Sequence, residues 1–80
     1  MTALEASHVI LREVARAKGL HPRWPSDIVH AAAIVAEESG ELVRAALRFE
    51  YGEGGTVEDV RREAVHTAAT CIRLLEGLGE

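Results

Sequence analysis

Residues 28–42 read IVHAAAIVAEESGEL, in which an almost wholly apolar run leads into three glutamates within five positions. A helix advances by about 100° per residue, so side chains three and four positions apart share a face. On such a helix Glu38 falls between Val35 and Leu42, on the apolar side, and burying a carboxylate is costly unless something pairs with it. Glu41 borders the same side. The stretch therefore predicts a long helix whose apolar face carries acids, with a metal ion as their natural partner.

Length and composition narrow the class of protein. Eighty residues make one domain, residues 1–80, and a chain of this size buries only about 60% of its unfolded surface. No apolar run approaches the roughly 20 residues that cross a membrane, and the start MTALE lacks the features of a signal peptide. A lone cysteine suits a reducing compartment, and the net charge of −4 argues against nucleic acid as a partner. We therefore expect a cytoplasmic protein without a membrane or nucleic-acid partner.

Capping and breaking signals predict three helices and no strands. Thr2 and Glu5 fit a capping box at the start of the first helix, which is expected to run to about Lys18 and to end at Gly19. Residues 20–25 contain two prolines, which restrict themselves and the residues before them, so this segment is predicted to be a loop.

The second and third helices carry similar signals. Ser26 or Asp27 is expected to cap the second helix, which should continue to about Glu50 before a glycine-rich loop. Thr56 is expected to cap the third helix, and the acids that follow it suit the positive end of the helix dipole. Gly77 is expected near the end of that helix. The predicted fold is all-α, a bundle of three main helices.

Apolar stripes on the first and third helices are expected to form the core, and they place His8 and Cys71 inside the protein. The first third of the second helix is apolar on nearly all sides, and such a helix is normally covered on all sides. Two other helices of one small chain can hardly do this, so we expect a second subunit against it. The stripe positions are Leu4, His8, Leu11 and Ala15 on the first helix, and Val60, Ala64, Thr67, Cys71, Leu74, Leu75 and Leu78 on the third.

Polar residues flank the stripe of the third helix as they flank that of the second. Glu63 and His66 hold the positions that correspond to those of Glu38 and Glu41. If the two helices pack antiparallel, these four side chains converge. Carboxylates held together repel one another, and a hard divalent cation such as Mg²⁺, which prefers oxygen ligands, removes that cost. The alternative is an ordinary solvated face. On it the glutamates pair with arginines of the same helix, namely Glu37, Glu38 and Glu41 with Arg44 and Arg48.

The motifs VAEESGEL at residues 35–42 and EAVH at residues 63–66 resemble the ExxE…ExxD signature of the MazG-like superfamily, all-α nucleoside triphosphate pyrophosphohydrolases. The resemblance covers about residues 22–78. It implies Mg²⁺-dependent cleavage of a nucleoside triphosphate between the α and β phosphates, which gives the monophosphate and pyrophosphate. It also implies homodimers or homotetramers built on helical bundles, in agreement with the apolar second helix.

Carried onto this chain, the resemblance makes Glu38, Glu41 and Glu63 metal ligands, and it puts His66 in the place of the signature's last aspartate. A nitrogen ligand suits Mn²⁺ better than Mg²⁺. Three interpretations of His66 are therefore open: a ligand of a softer metal, a hydrogen-bonding partner of a phosphate or of a metal-bound water, or the mark of a site that has lost catalysis.

The mechanism that the resemblance implies is metal-assisted hydrolysis, in which a glutamate of the cluster activates or orients the water. The expected catalytic residues are Glu38, Glu41 and Glu37. The substrate-binding candidates are Trp24, Arg44, Arg48 and Arg73. Alternatively, the indole of Trp24 covers one end of the core, and the three arginines form ion pairs on the surface. The alternative function is a catalytically weak nucleotide- or metal-binding module, or a helical interaction protein, with the same fold.

Overall fold

Three helices make up most of residues 1–79, the part of the chain that the computed structural model describes. They are α1 (Ala3–Leu20), α2 (Ile28–Glu50) and α3 (Val57–Gly77), and this part of the chain contains no strand. None of the three is long and apolar enough to cross a membrane. The predicted all-α class is therefore confirmed. The predicted domain also includes Glu80, which lies outside the described residues.

Side chains at the starts of α1 and α2 satisfy backbone N–H groups that have no partner within a helix. Thr2 Oγ1 accepts a hydrogen bond from the backbone of Glu5 at 3.1 Å, and the Glu5 carboxylate accepts one from the backbone of Thr2 at 2.9 Å. At α2 the cap is Asp27 and not Ser26, since the Asp27 carboxylate accepts the Val29 N–H at 3.1 Å. The predicted capping box and the predicted start of α2 are confirmed.

The start of α3 is a second capping box. Thr56 Oγ1 accepts the N–H of Asp59 at 3.1 Å, and the Asp59 carboxylate accepts the N–H of Thr56 at 3.0 Å. Arg62 also donates to Asp59 at 2.9 Å. These hydrogen bonds, above all the one from the Thr56 backbone, favour the charged form and hold the pKa of Asp59 below its ordinary value.

The end of α1 differs from the prediction. The helix continues through Gly19 to Leu20, and the cap residue His21 donates its N–H to the Ala17 carbonyl at 2.7 Å. Gly19 does not adopt the positive φ of a glycine cap. The prediction that Gly19 ends the helix was therefore wrong. Pro22 sets the end instead, because the residue before a proline is disfavoured in the helical region.

α3 is the central helix of the described chain. α1 and α2 both pack against it, whereas they make no close contact with each other. The buried apolar side chains are few and mostly small, namely Val14, Ala31, Ala45 and Ala69. This arrangement leaves a cleft between α1 and α2, with α3 as its floor.

The predicted apolar stripes do not form this core. All four stripe residues of α1 are exposed, His8 among them, and the buried residue is Val14. On α3 the buried residues are Ala69 and Arg73, whereas Cys71 is exposed. The predictions of a buried His8 and a buried Cys71 were wrong. The physical reason is that α1 and α2 pack against two different sides of α3. The buried residues of α3 are therefore those that face these two helices, and they are not the most apolar ones.

The first part of α2 is largely uncovered in the single chain. Ile28 and Val29 are 61% and 76% exposed, and only Ala31 is buried in this part of the helix. Contact with α3 alone covers one side of α2, so its other apolar sides face outward. The second subunit that the sequence led us to expect against this surface stays a prediction.

Gly55 lies where the connection to α3 passes close to the end of α2. A Cβ atom at this position would lie 2.7 Å from the Cβ of Arg48 and 2.8 Å from the backbone nitrogen of Phe49. We expect Gly55→Ala to lower the free energy of unfolding by about 1–3 kcal/mol, because backbone atoms must shift. Gly40→Ala, in open space within α2, should raise it by about 0.5–1 kcal/mol. Urea unfolding measures both; effects of the same sign would contradict this packing.

Acid should weaken the capping box of α3. Because the folded pKa of Asp59 is lowered, its stabilising contribution is complete above the ordinary pKa of an aspartate and is lost as the pH falls through the lowered value. We expect Asp59→Asn to flatten this acid-side decline of the melting temperature. Glu53→Gln is the control, since this exposed loop side chain makes no hydrogen bond among residues 1–79. An unchanged pH profile in Asp59→Asn would show that the box is not formed in solution.

Candidate metal centre

Two carboxylates and one imidazole meet where α2 packs against α3. Glu38 of α2, and Glu63 and His66 of α3, each offer one ligand atom, and these three atoms lie within 4.8 Å of one another. All three residues are half-buried, with side-chain exposures of 16% for Glu63 and 30% for His66. The structure therefore brings together three of the four residues for which the sequence predicts a metal-binding role.

The spacing of these donors suits one divalent cation. Oxygen ligands bind Mg²⁺ at about 2.1 Å, so ligands on opposite sides of the ion lie about 4.2 Å apart. Neighbouring ligands of an octahedral ion lie about 3 Å apart, so the three donor atoms, which lie within 4.8 Å of one another, would move closer together to share one ion. The imidazole nitrogen favours Mn²⁺ over Mg²⁺, and the two carboxylates accept either ion. The residues present thus fit the cation that the sequence motifs imply.

Glu41 lies apart from this group. Its carboxylate accepts a hydrogen bond from Arg44 at 3.2 Å, and its side chain is 51% exposed. It borders a smaller cavity of about 150 Å³, which is also lined by Arg44, Arg48 and Glu63. A ligand role for Glu41 therefore requires it to leave Arg44. The surface pair that the sequence allowed as an alternative is the arrangement that the structure contains.

Glu13 of α1 is a neighbour of the group that sequence reasoning missed. Its Oε2 lies 3.7 Å from Nε2 of His66, while Glu63 Oε1 lies 3.6 Å from Nδ1 of the same ring. The imidazole thus stands between carboxylates from two helices. Arg16 donates to Glu13 at 2.7 and 2.8 Å, and this pairing lowers the pKa of Glu13 despite its partial burial. Glu13 is therefore placed to orient the ring of His66.

A sequence signal for Glu13 did exist. Val9, Ile10, Val14 and Ala17 form an apolar stripe on α1, and in the structure this stripe is buried or half-buried. Glu13 lies within it, just as Glu38 lies within the stripe of α2. A carboxylate on an apolar face is the same anomaly in both helices, but the prediction followed the competing stripe through His8.

A cavity of about 340 Å³ opens beside the group, in the cleft between α1 and α2. All three helices and the connection between α1 and α2 contribute to its wall. The polar and aromatic lining residues that matter most for binding are Glu13, Arg16, Trp24, Glu38, His66 and Arg73. The candidate metal ligands Glu38 and His66 therefore face the same cavity as the predicted substrate-binding residues Trp24 and Arg73.

Trp24 and Arg73 form a packed unit at this cavity. The Arg73 guanidinium lies over the Trp24 ring, 4.9 Å from its centroid, and donates to the His21 carbonyl at 2.8 Å. Arg73 is only 7% exposed, so the surface ion pair considered for it does not occur. A Cβ atom at Gly77 would lie 3.0 Å from Trp24 Cδ1. One face of the indole is thus already covered by Arg73, and the indole edge is close to Gly77.

The remaining predicted residues lie outside the cavity. Glu37 is exposed on α2, one position before Glu38. Arg44 and Arg48 are also exposed and border the smaller cavity near Glu41. Their catalytic and substrate-binding roles stay predictions.

Comparison of the chain with protein-family models, curated proteins and solved structures finds no match. The resemblance to the MazG-like superfamily therefore rests on the sequence motifs alone.

The group of Glu38, Glu63 and His66 should lower the stability of the folded protein without a cation and raise it when a cation is bound. In chelator, Glu38→Gln is expected to raise the free energy of unfolding by up to about 1 kcal/mol, because it removes repulsion from Glu63. Saturating Mn²⁺ should stabilise the parent protein by about 2–3 kcal/mol at 100 times Kd and should have little effect on the variant. Thermal and urea unfolding with and without Mn²⁺ measure both effects.

Glu50→Gln is the matched control, because Glu50 is an exposed carboxylate on the same helix and outside the group. This variant should respond to Mn²⁺ as the parent does. If Mn²⁺ leaves the unfolding of the parent protein unchanged, the group does not bind a metal.

Proposed function

We propose that the protein is a metal-dependent nucleoside triphosphate pyrophosphohydrolase with a MazG-like helical bundle, which converts its substrate to the monophosphate and pyrophosphate. One observation carries the proposal: ligand atoms of Glu38, Glu63 and His66 lie within 4.8 Å of one another, and two of these residues line a cavity of about 340 Å³. Ligand pockets commonly enclose about 300–1,000 Å³. A metal-binding group beside a cavity of this size is the arrangement that hydrolysis of a metal-bound nucleotide needs.

Mg²⁺ or Mn²⁺, when bound, would neutralise phosphate oxygens and lower the pKa of a coordinated water. Residues of the chain would supply the metal ligands and the group that accepts a proton from the water. Glu38 and Glu63 offer carboxylate oxygens, and Glu38 also faces the cavity, so it is the residue best placed to accept a proton from an attacking water. Glu13 lies on the other side of His66, with its Oε2 3.7 Å from Nε2 of the ring, and would attract the ring when the imidazole is protonated.

The quaternary structure that we propose is a homodimer or homotetramer. Its support is the apolar surface of α2, which no other helix covers in the single chain. Exposure is 55% for Val43, 50% for Leu47 and 47% for Phe49, in addition to the exposed residues at the start of the helix. Large exposed apolar surfaces typically mark protein–protein interfaces. A second copy would complete the bundle and enclose the cavity further.

A nucleotide panel tests the activity. We expect the purified protein to release pyrophosphate from at least one canonical or modified nucleoside triphosphate with Mg²⁺ or Mn²⁺. Glu38→Gln should lower kcat by about 100-fold or more, because a ligand and a proton acceptor are lost together. Glu50→Gln should retain full activity. Absence of pyrophosphate release from every nucleotide with either metal would contradict the proposal.

A second candidate is a nucleotide- or metal-binding module of low catalytic power. Two observations favour it: His66 stands in place of an acid, and Glu41 is paired with Arg44. Only two carboxylates then remain in the group, and fewer negative ligands bind Mg²⁺ less well. His66→Asp separates the two functions. A variant that gains Mg²⁺-dependent activity absent from the parent identifies a binding module, whereas a variant that loses activity identifies His66 as part of an active enzyme.

A further inference from the structure

Arg73 is the only charged side chain that is buried in residues 1–79. One of its terminal nitrogens donates to the His21 carbonyl at 2.8 Å, and its guanidinium carbon lies over the Trp24 ring, 4.9 Å from the ring centroid. No carboxylate of the described chain lies within 4.0 Å of its nitrogens, because it takes part in none of the ion pairs there. The guanidinium charge is therefore buried without a counter-ion, and this is costly unless an anion completes the site.

The free donors of Arg73 are reachable from the cavity. A guanidinium carries five N–H donors, and the bond to His21 uses one of them. Among residues 1–79, no side-chain nitrogen that is sealed from solvent lacks a hydrogen bond. The nitrogens of Arg73 that have no partner must then reach solvent through the two cavities that Arg73 lines. These are the 340 Å³ cavity and a neighbouring one of about 350 Å³, which Lys18 and Glu76 also line. The contact with Trp24 holds the guanidinium beside both cavities, and its free donors are available to a ligand.

Other arginines share the 340 Å³ cavity with Arg73. Arg23, in the connection between α1 and α2, lines the same cavity and makes no ion pair in the part of the chain that the structure describes. Arg16 lines it as well, but Glu13 already holds that guanidinium. Arg73 follows His66 by seven residues on α3, which is two turns or about 10 Å along the axis. The cavity thus has an acidic end at His66 and a basic end at Arg73.

We propose that Arg73 and Arg23 form an anion subsite that binds a phosphate group of the ligand and holds the pyrophosphate leaving group. Two guanidinium groups match a doubly charged oxyanion, and the planar fork of arginine fits phosphate oxygens. A phosphate chain that begins at the acidic end and runs along α3 finishes at the basic end. The assignment to pyrophosphate rests on the proposed function, but the binding itself needs no divalent metal.

The experiment is a calorimetric titration of the full-length protein with pyrophosphate in chelator, at constant ionic strength. The parent protein is expected to bind, and Arg73→Met should weaken binding by roughly tenfold or more, since a charge-assisted hydrogen bond is lost. Arg23→Gln should weaken it about threefold to tenfold. Arg12→Gln is the matched control: this exposed arginine of α1 borders neither end of the cavity, and its removal should leave the Kd unchanged.

Titrations with two further ligands test which chemical group Arg73 recognises. Orthophosphate should bind more weakly than pyrophosphate but show the same dependence on Arg73, whereas a nucleoside without phosphate should show none. Arg73→Met is checked by circular dichroism. If it fails to fold, Arg23→Gln decides the question, because Arg23 is exposed and its loss does not disturb the packing.

Two outcomes would overturn the proposal: no binding of pyrophosphate by the parent protein in chelator, or equal Kd values for the parent protein and the folded arginine variants. Either would make Arg73 a clamp that only holds the connection against α3. The test is independent of catalysis. Anion binding by a parent protein that shows no hydrolytic activity would remove the proposed function alone.

Discussion

The helix α3 packs against two helices whose backbones do not approach each other closely, and the other features of the molecule follow from this constraint. α1 and α2 approach α3 from different sides, so the strip of α3 between them becomes the floor of a cleft. His66, Ala69 and Arg73 lie three to four residues apart and therefore share that strip. Only small side chains such as Ala69 allow both neighbours to come close. His66 is then half-buried and Arg73 is buried, although both also border the open cleft.

The two ends of the cleft carry opposite charges. At one end, carboxylates from all three helices surround or adjoin the imidazole of His66, with Glu13 and Glu63 on opposite sides of the ring. At the other end, Arg73 is buried against Trp24 without an acidic partner in the described chain. Negative charge needs a cation and buried positive charge needs an anion. A metal-bound polyphosphate carries both, and so one class of ligand would answer the two requirements of this cavity.

Sequence reasoning identified the half of this site that lies on α2 and α3. Glu38 was conspicuous because it interrupts an apolar stripe, and Glu63 and His66 followed from the corresponding positions on the next helix. Glu13 was missed because α1 offers two stripes, and the one through His8 was preferred over the one through Val14. Arg73 was predicted to bind substrate, with a surface ion pair as the alternative, but its burial was not foreseen, since nothing local distinguishes a guanidinium that will be buried from one that will not. Glu41 was grouped with the others although its nearest opposite charge, Arg44, lies one turn away on its own helix.

Local interactions decided what the sequence could determine alone. These are the all-α class and the helix starts at Thr2, at Ser26 or Asp27, and at Thr56. These depend on hydrogen bonds between residues at most a few positions apart, so they can be read from spacing. The tertiary structure decided which face of each helix is buried, because that depends on the number and direction of the helices packed against it. It therefore decided that Glu13 reaches His66, that Glu41 does not join the group, and that Arg73 becomes a buried charge beside the cavity.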